Sequence, residues 1–227
     1  MKRAILITML LLLVTASFAE NTKPGGASIQ FGYLVSDNDA AIQTAKAMGL
    51  ETESTNQLHL DINGWSVLNR YMRLGGVLSG GWFDAKGEPD EDIFDSDESG
   101  VGFGNVSIAL LPEIHMTFGP ANISGGLSVG GGSIITSVND WNGDNDGDMF
   151  FYGFTRPQVS AGYDLGPVGV RATIGYHLPF TGDKGEFWFI PEGGDSTEKQ
   201  TYEFETTDLG GPFFEIGLFF GELGIRD

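Results

Sequence analysis

"VGVRATIGYHL", residues 168–178, alternates without a break. Val168, Val170, Ala172, Ile174, Tyr176 and Leu178 fall on one side, and Gly169, Arg171, Thr173, Gly175 and His177 on the other. A side-chain period of two makes this a strand with one apolar and one polar face. Which face meets solvent, and what that solvent is, decides the fold.

The same alternation recurs at residues 27–36, 58–63, 71–82, 105–118, 122–129, 156–165 and 213–220, so the chain reads as eight strands. Three local departures stand out. Leu34 falls on the polar side, Asn63-Gly64 reads as a bulge, and Pro112 costs one ladder bond on the apolar face of its strand. A further hairpin arm at residues 202–206 would raise the count to ten.

The connections alternate as well. Long ones, at about 37–56, 84–99, 138–148 and 181–199, take turns with short ones at 67–70, 119–121 and 166–167. The first long one holds a short helix, with Asp37 or Asn38 as cap, 40–48 as body and Gly49 as stop. Both termini then lie on the short-turn side, the connectivity of an up-and-down antiparallel barrel.

Residues 1–19 read as a secretory signal peptide: Lys2 and Arg3, an apolar run, then Ser17-Phe18-Ala19 before the cut. Residues 20–227 form one domain. No other stretch reaches the roughly 18 consecutive apolar residues of a spanning helix, so a membrane form of the chain would be a closed barrel. There is no cysteine, which removes disulfides and thiolate metal sites. A net charge of −19 argues against nucleic acid and against adhesion to anionic lipid.

Alternation alone does not choose between a soluble barrel with an apolar interior and a membrane barrel with an apolar exterior. The residues on the polar face favour the second. No lysine lies in any of these eight runs. The polar face instead carries small residues with Arg73, Arg156 and Arg171 beside Asp61, Glu113 and Glu215, a set that a narrow lumen can pack. Arg171 at the midplane of the lipid face would cost about 2–4 kcal/mol. We therefore expect an all-β, up-and-down antiparallel transmembrane barrel whose lumen holds a network of Arg73, Glu113, His115, Arg156, Arg171, His177 and Glu215. Aromatics near strand ends, at Trp82-Phe83, Phe118, residues 150–152, Tyr163 and Phe180, suit either interfacial girdles or rim packing.

With these features the chain resembles the small outer-membrane β-barrel proteins of diderm bacteria. The resemblance covers nearly all of the mature chain and rests on pattern, without a diagnostic motif. It implies an outer-membrane location, no catalysis, and an envelope-structural or surface-interaction role with at most limited passage of small solutes. The partner it implies is outer-membrane lipid. One departure is the ending: that family commonly closes on an aromatic residue, whereas Phe219 and Phe220 are followed here by residues 221–227.

Four smaller readings complete the sequence. In "NDWNGDNDGD", Asn142, Asp144, Asp146 and Asp148 offer oxygens for Ca2+, but the twelfth position from Asn142 is Gly153 rather than a bidentate glutamate. No other cofactor is expected. The long connections hold most of the 31 carboxylates, an acidic rim open to divalent cations or basic partners. His115 and His177 share a face with Ser107, Ser160, Glu113 and Glu215, which leaves a membrane-embedded hydrolase as an alternative. An exported soluble barrel with an apolar ligand inside, every face inverted, is the other.

Overall fold

The computed structural model describes residues 25–36, 38–50, 55–86, 100–139, 145–146, 148–190 and 199–222. The signal-peptide reading of 1–19, nearly all of 84–99, and Asn142 and Asp144 lie outside the described residues.

Eight strands close into an antiparallel ring: β1 (Gly25–Leu34), β2 (Gln57–Asn69), β3 (Met72–Lys86), β4 (Gly100–Phe118), β5 (Ala121–Asn139), β7 (Met149–Asp164), β8 (Gly169–Gly182) and β11 (Gly211–Gly221). β6 (Asn145–Asp146) adds a short edge to β5. The expected arm at 202–206 exists as β10 (Gln200–Glu205), paired with β9 (Lys184–Phe189), but this hairpin forms its own sheet outside the ring. The ring therefore has eight strands.

Register fixes the shape. Partner positions run from Met116 through Ile123, Ala161, Ala172, Ile216, Phe31, Leu60 and Gly80, and return to β4 at Val106, ten residues from the start. A shear of that size on eight strands tilts them by about 40° and gives a radius of about 8 Å, so each residue climbs about 2.5 Å along the axis. The ten residues of β1 then span about 25 Å, whereas the nineteen of β4 and of β5 rise to about twice that. The barrel has a low side at β1 and β11 and a tall wall at β4 and β5.

Two local readings are corrected. Asn63 and Gly64 pair in regular register with Val77 and Gly76, and the irregularity lies between Val67 and Asn69, where β2 bends into the Arg70-Tyr71 turn. A bulge is tolerated most easily at a strand end, where few ladder bonds are at stake. The Pro112 objection is met within the sheet: β4 and β5 pair at Leu110–Val129 and at Glu113–Gly126, and skip the positions between. The first long connection holds helix α1 (Asp39–Ala47), capped by Asn38 Oδ1 accepting from the Ala41 amide at 3.1 Å and ended at Gly49 with φ 76°. Ser36 and Thr55 clamp its two ends, each hydroxyl donating to the other's carbonyl, at 2.9 and 2.7 Å.

Side chains alternate as the period requires. Ile29, Phe31, Leu74, Ile108, Leu110, Ile114, Val129, Ile174, Ile216 and Leu218 point outward and are exposed, while the polar set points in. The soluble alternative, with an apolar ligand cavity inside, is overturned by this orientation.

Candidate functional site

The interior is built in layers, each strand contributing alternate residues. Toward the short turns, Trp65, Val67 and Phe219 pack into a small apolar cluster, and the Trp65 indole N–H donates to the Glu222 carbonyl at 2.9 Å. Arg73 and Arg171 lie over the Trp65 ring, with guanidinium carbons 5.2 and 5.5 Å from its centre.

Beside this cluster, and then beyond it, come two ionic layers. In the first, Glu113 on β4 accepts from Arg73 Nε at 2.5 Å and Nη2 at 3.1 Å, and from Arg171 Nη2 at 2.7 Å. Ser124 and Ser160 complete it, accepting from Arg73 and Arg171 at 2.8 and 3.0 Å, and a chain runs on from Ser160 through Thr173 to Gln30. In the second, Arg156 on β7 donates to Asp61 at 3.0 and 3.3 Å, to Glu215 at 3.2 Å and to Ser79 at 2.8 Å. His59 Nδ1 lies 2.6 Å from Glu215 and 3.5 Å from Asp61.

Charge is split unevenly between the layers. The first sets two guanidiniums against one carboxylate, and the second sets one against two. All six side chains are buried, and with the histidines neutral their formal charges cancel. Burial on this scale is tolerable only because every ion is paired.

Five of the seven residues expected in the lumen network, Arg73, Glu113, Arg156, Arg171 and Glu215, are thus brought together. His115 and His177 face inward but stand apart. His115 meets Asn122 at 3.5 Å, and His177 packs against the rings of Phe154 and Tyr152, with centroids 4.6 and 5.8 Å away. Neither ring is bonded to a serine among the described residues, so the nucleophile–base contact of a hydrolase is not formed at either. His59 is the member that the sequence reading missed, and Asp61, read on the polar face beside the arginines, is the one it left out of the seven-residue network. Their signal was in the alternation of β2, but only the ring brings β2 beside β11 and β7 across the lumen.

His59, Asp61 and Glu215 also present one nitrogen and two carboxylate oxygens within 4.8 Å of one another, a donor set that a metal could use. Arg156 is already bonded to both carboxylates, and a divalent cation there would have to displace its guanidinium. Of the calcium set, Asp146 lies in β6 and Asp148 is exposed, its backbone amide donating to Thr136 Oγ1 at 3.3 Å.

The far end is closed by the loops themselves. Val101, Phe103, Ile134 and Val138 on the inner face of the tall wall, with Phe83, pack against the β9–β10 hairpin and α1 in one apolar cluster. Phe103 meets Phe83 and Phe187 at 5.3 and 6.3 Å, and Phe187 meets Phe204 at 5.3 Å. Ala40, Ala41, Ala45 and Met48 give α1 its buried face. Among the described residues, the charge network lies between the Trp65 cluster and this apolar cluster under the hairpin and α1.

No protein-family model matches the sequence, and no curated protein does. Among solved structures, the chain is similar to Neisserial surface protein A, at 8% identity and a TM-score of 0.48, over 87% of this chain and 96% of that one. It is similar to Ail, the attachment invasion locus protein of Yersinia pestis, solved with the heparin analogue sucrose octasulfate, at 13% identity and 0.40, over 87% and 99%. It is also similar to a major outer membrane protein from Thermus thermophilus, at 10% identity and 0.44, over 87% and 99%. Identities this low say nothing of shared ligands or partners.

Proposed function

We propose that this chain is an integral barrel of a bacterial outer membrane, serving the envelope or surface interaction, without catalysis and without an open diffusion pore. One observation carries the reading: a continuous outer face of large apolar residues surrounds a lumen that is charged, paired and plugged. Water around that face would leave far more contiguous apolar surface exposed than soluble proteins tolerate, whereas lipid of about 25 Å thickness matches the low side of the barrel. Exposed aromatics fall near the two edges of that band, Tyr71, Phe118, Tyr163 and Phe220 toward the short turns and Tyr33, Trp82, Phe151 and Phe180 toward the long loops, as interfacial girdles would.

On this reading the long connections face outward, and the acidic segment 84–99 belongs to the surface where divalent cations or basic partners would meet the cell. Two measurements test it. The mature chain refolded in detergent micelles should migrate differently on electrophoresis before and after boiling, with a β-type circular dichroism spectrum. A monomeric, β-rich protein that needs no detergent would overturn the membrane location. In planar bilayers the folded protein should give no stepwise conductance, and steady channels would overturn the closed lumen.

A further inference from the structure

We propose that the first ionic layer binds one small monovalent inorganic anion, of the chloride kind, at the unpartnered N–H donors of Arg171. Arg171 is 1% exposed, and both of its hydrogen bonds, to Glu113 and to Ser160, leave from Nη2. Nε and Nη1 are buried with no hydrogen-bond partner among the described residues. Burying N–H groups of a charged side chain unpaired is costly, more so than for neutral groups, and such groups in a native interior are met by an ion or an ordered water.

Three features of the layer select an anion. Two guanidiniums share one carboxylate there, so the layer carries one surplus positive charge, which a monovalent anion neutralises. The opposite surplus lies in the second layer, around Arg156 with His59 against it, although Glu215 there also acts on Arg171. The donors are buried beside the Trp65 ring, which restricts the occupant to something small. The inference depends on the interior alone and stands or falls apart from the membrane location.

The test is the urea midpoint of the folded, full-length mature chain as sodium chloride replaces sodium gluconate at constant ionic strength. Gluconate is too large for the layer. The midpoint should rise with chloride, because a ligand that binds only the folded state stabilises it by mass action, and the rise should vanish in Arg171→Gln. Equal midpoints in the two salts overturn the proposal and leave water as the partner of these donors. A rise of the same size in Arg171→Gln overturns it too, by moving the effect elsewhere. Should that variant fail to fold, crystals of the wild-type protein grown in sodium bromide decide the matter: an anomalous peak within hydrogen-bonding distance of Arg171 is expected, and its absence overturns the site.

Discussion

Arg156 and Arg171 look alike in the alternation pattern, each a lone cation on the polar side of its strand, yet their neighbours make them unequal. Glu113 keeps Arg73 when Arg171 is removed, whereas Asp61 and Glu215 both lose their arginine when Arg156 is removed. Arg156→Leu is therefore expected to lower stability by about 3–5 kcal/mol, the range for stranding a buried ion, and Arg171→Leu by clearly less. Urea titration of the refolded variants checks the order, and an equal loss would mean that the two layers are not independent. On the outer face, Leu110 is 65% exposed near the middle of the apolar band. Leu110→Arg should cost about 2–4 kcal/mol in lipid, while Val170→Thr should cost under about 1 kcal/mol, as surface substitutions do. A Leu110→Arg variant as stable as wild type in bilayers would put the outer face in water.

The elements divide into those that cross and those that cover. The period marks part of every ring strand, because one face had to be apolar and the other polar in the crossing, but residues 64–69 of β2, 100–104 of β4, 130–139 of β5 and 149–155 of β7 extend beyond the runs it picks out. β9 and β10 show less, since their buried Phe187, Phe189 and Phe204 pack on one side of a two-stranded piece that leans on the wall rather than joining it. Like charges at Glu186 and Glu203 sit directly opposite each other in that hairpin, and opposed carboxylates weaken a cross-strand pair. The aromatic contacts to Phe103 and Phe150 must then hold it down. Phe187→Ala, a large-to-small change in a buried cluster of the kind that costs about 3–5 kcal/mol, should loosen the plug without opening the ring. Chymotrypsin should cut the variant faster within 184–205 while its heat-modifiable migration is kept. Loss of that migration would mean that the plug is needed for the barrel to close.

At the scale of the molecule, uneven strand lengths matter most. The low side ends near the edge of a lipid band, and the tall wall goes on past it to form a backing for the hairpin and α1. Ile135, Met149, Phe151 and Phe180 are exposed on the outside of that wall and of its neighbours. Whole cells treated with a glutamate-specific protease should show cleavage within 84–99 and protection of the ring strands. Intact 84–99 with cleavage after Glu222, at the short-turn end of the ring, would reverse the orientation.

Periodicity marked the ring strands, because it depends on neighbours two residues apart in one strand, and the polar-face residues, arginines beside carboxylates with no lysine, pointed the apolar set outward. Whether the ring held eight strands or ten was decided by the β9–β10 hairpin forming its own sheet. Glycine and proline marked the short turns, Gly119 adopting φ 60° where a side chain would be strained. Which arginine pairs with which carboxylate was beyond that reach. Arg156 and Asp61 are 95 residues apart, and they meet only because a shear of ten carries β7 and β2 to the same level across a narrow lumen. The plug is of the same kind: its aromatics show no period that names the wall they cover, and only closure of the ring gives them a surface to bury against.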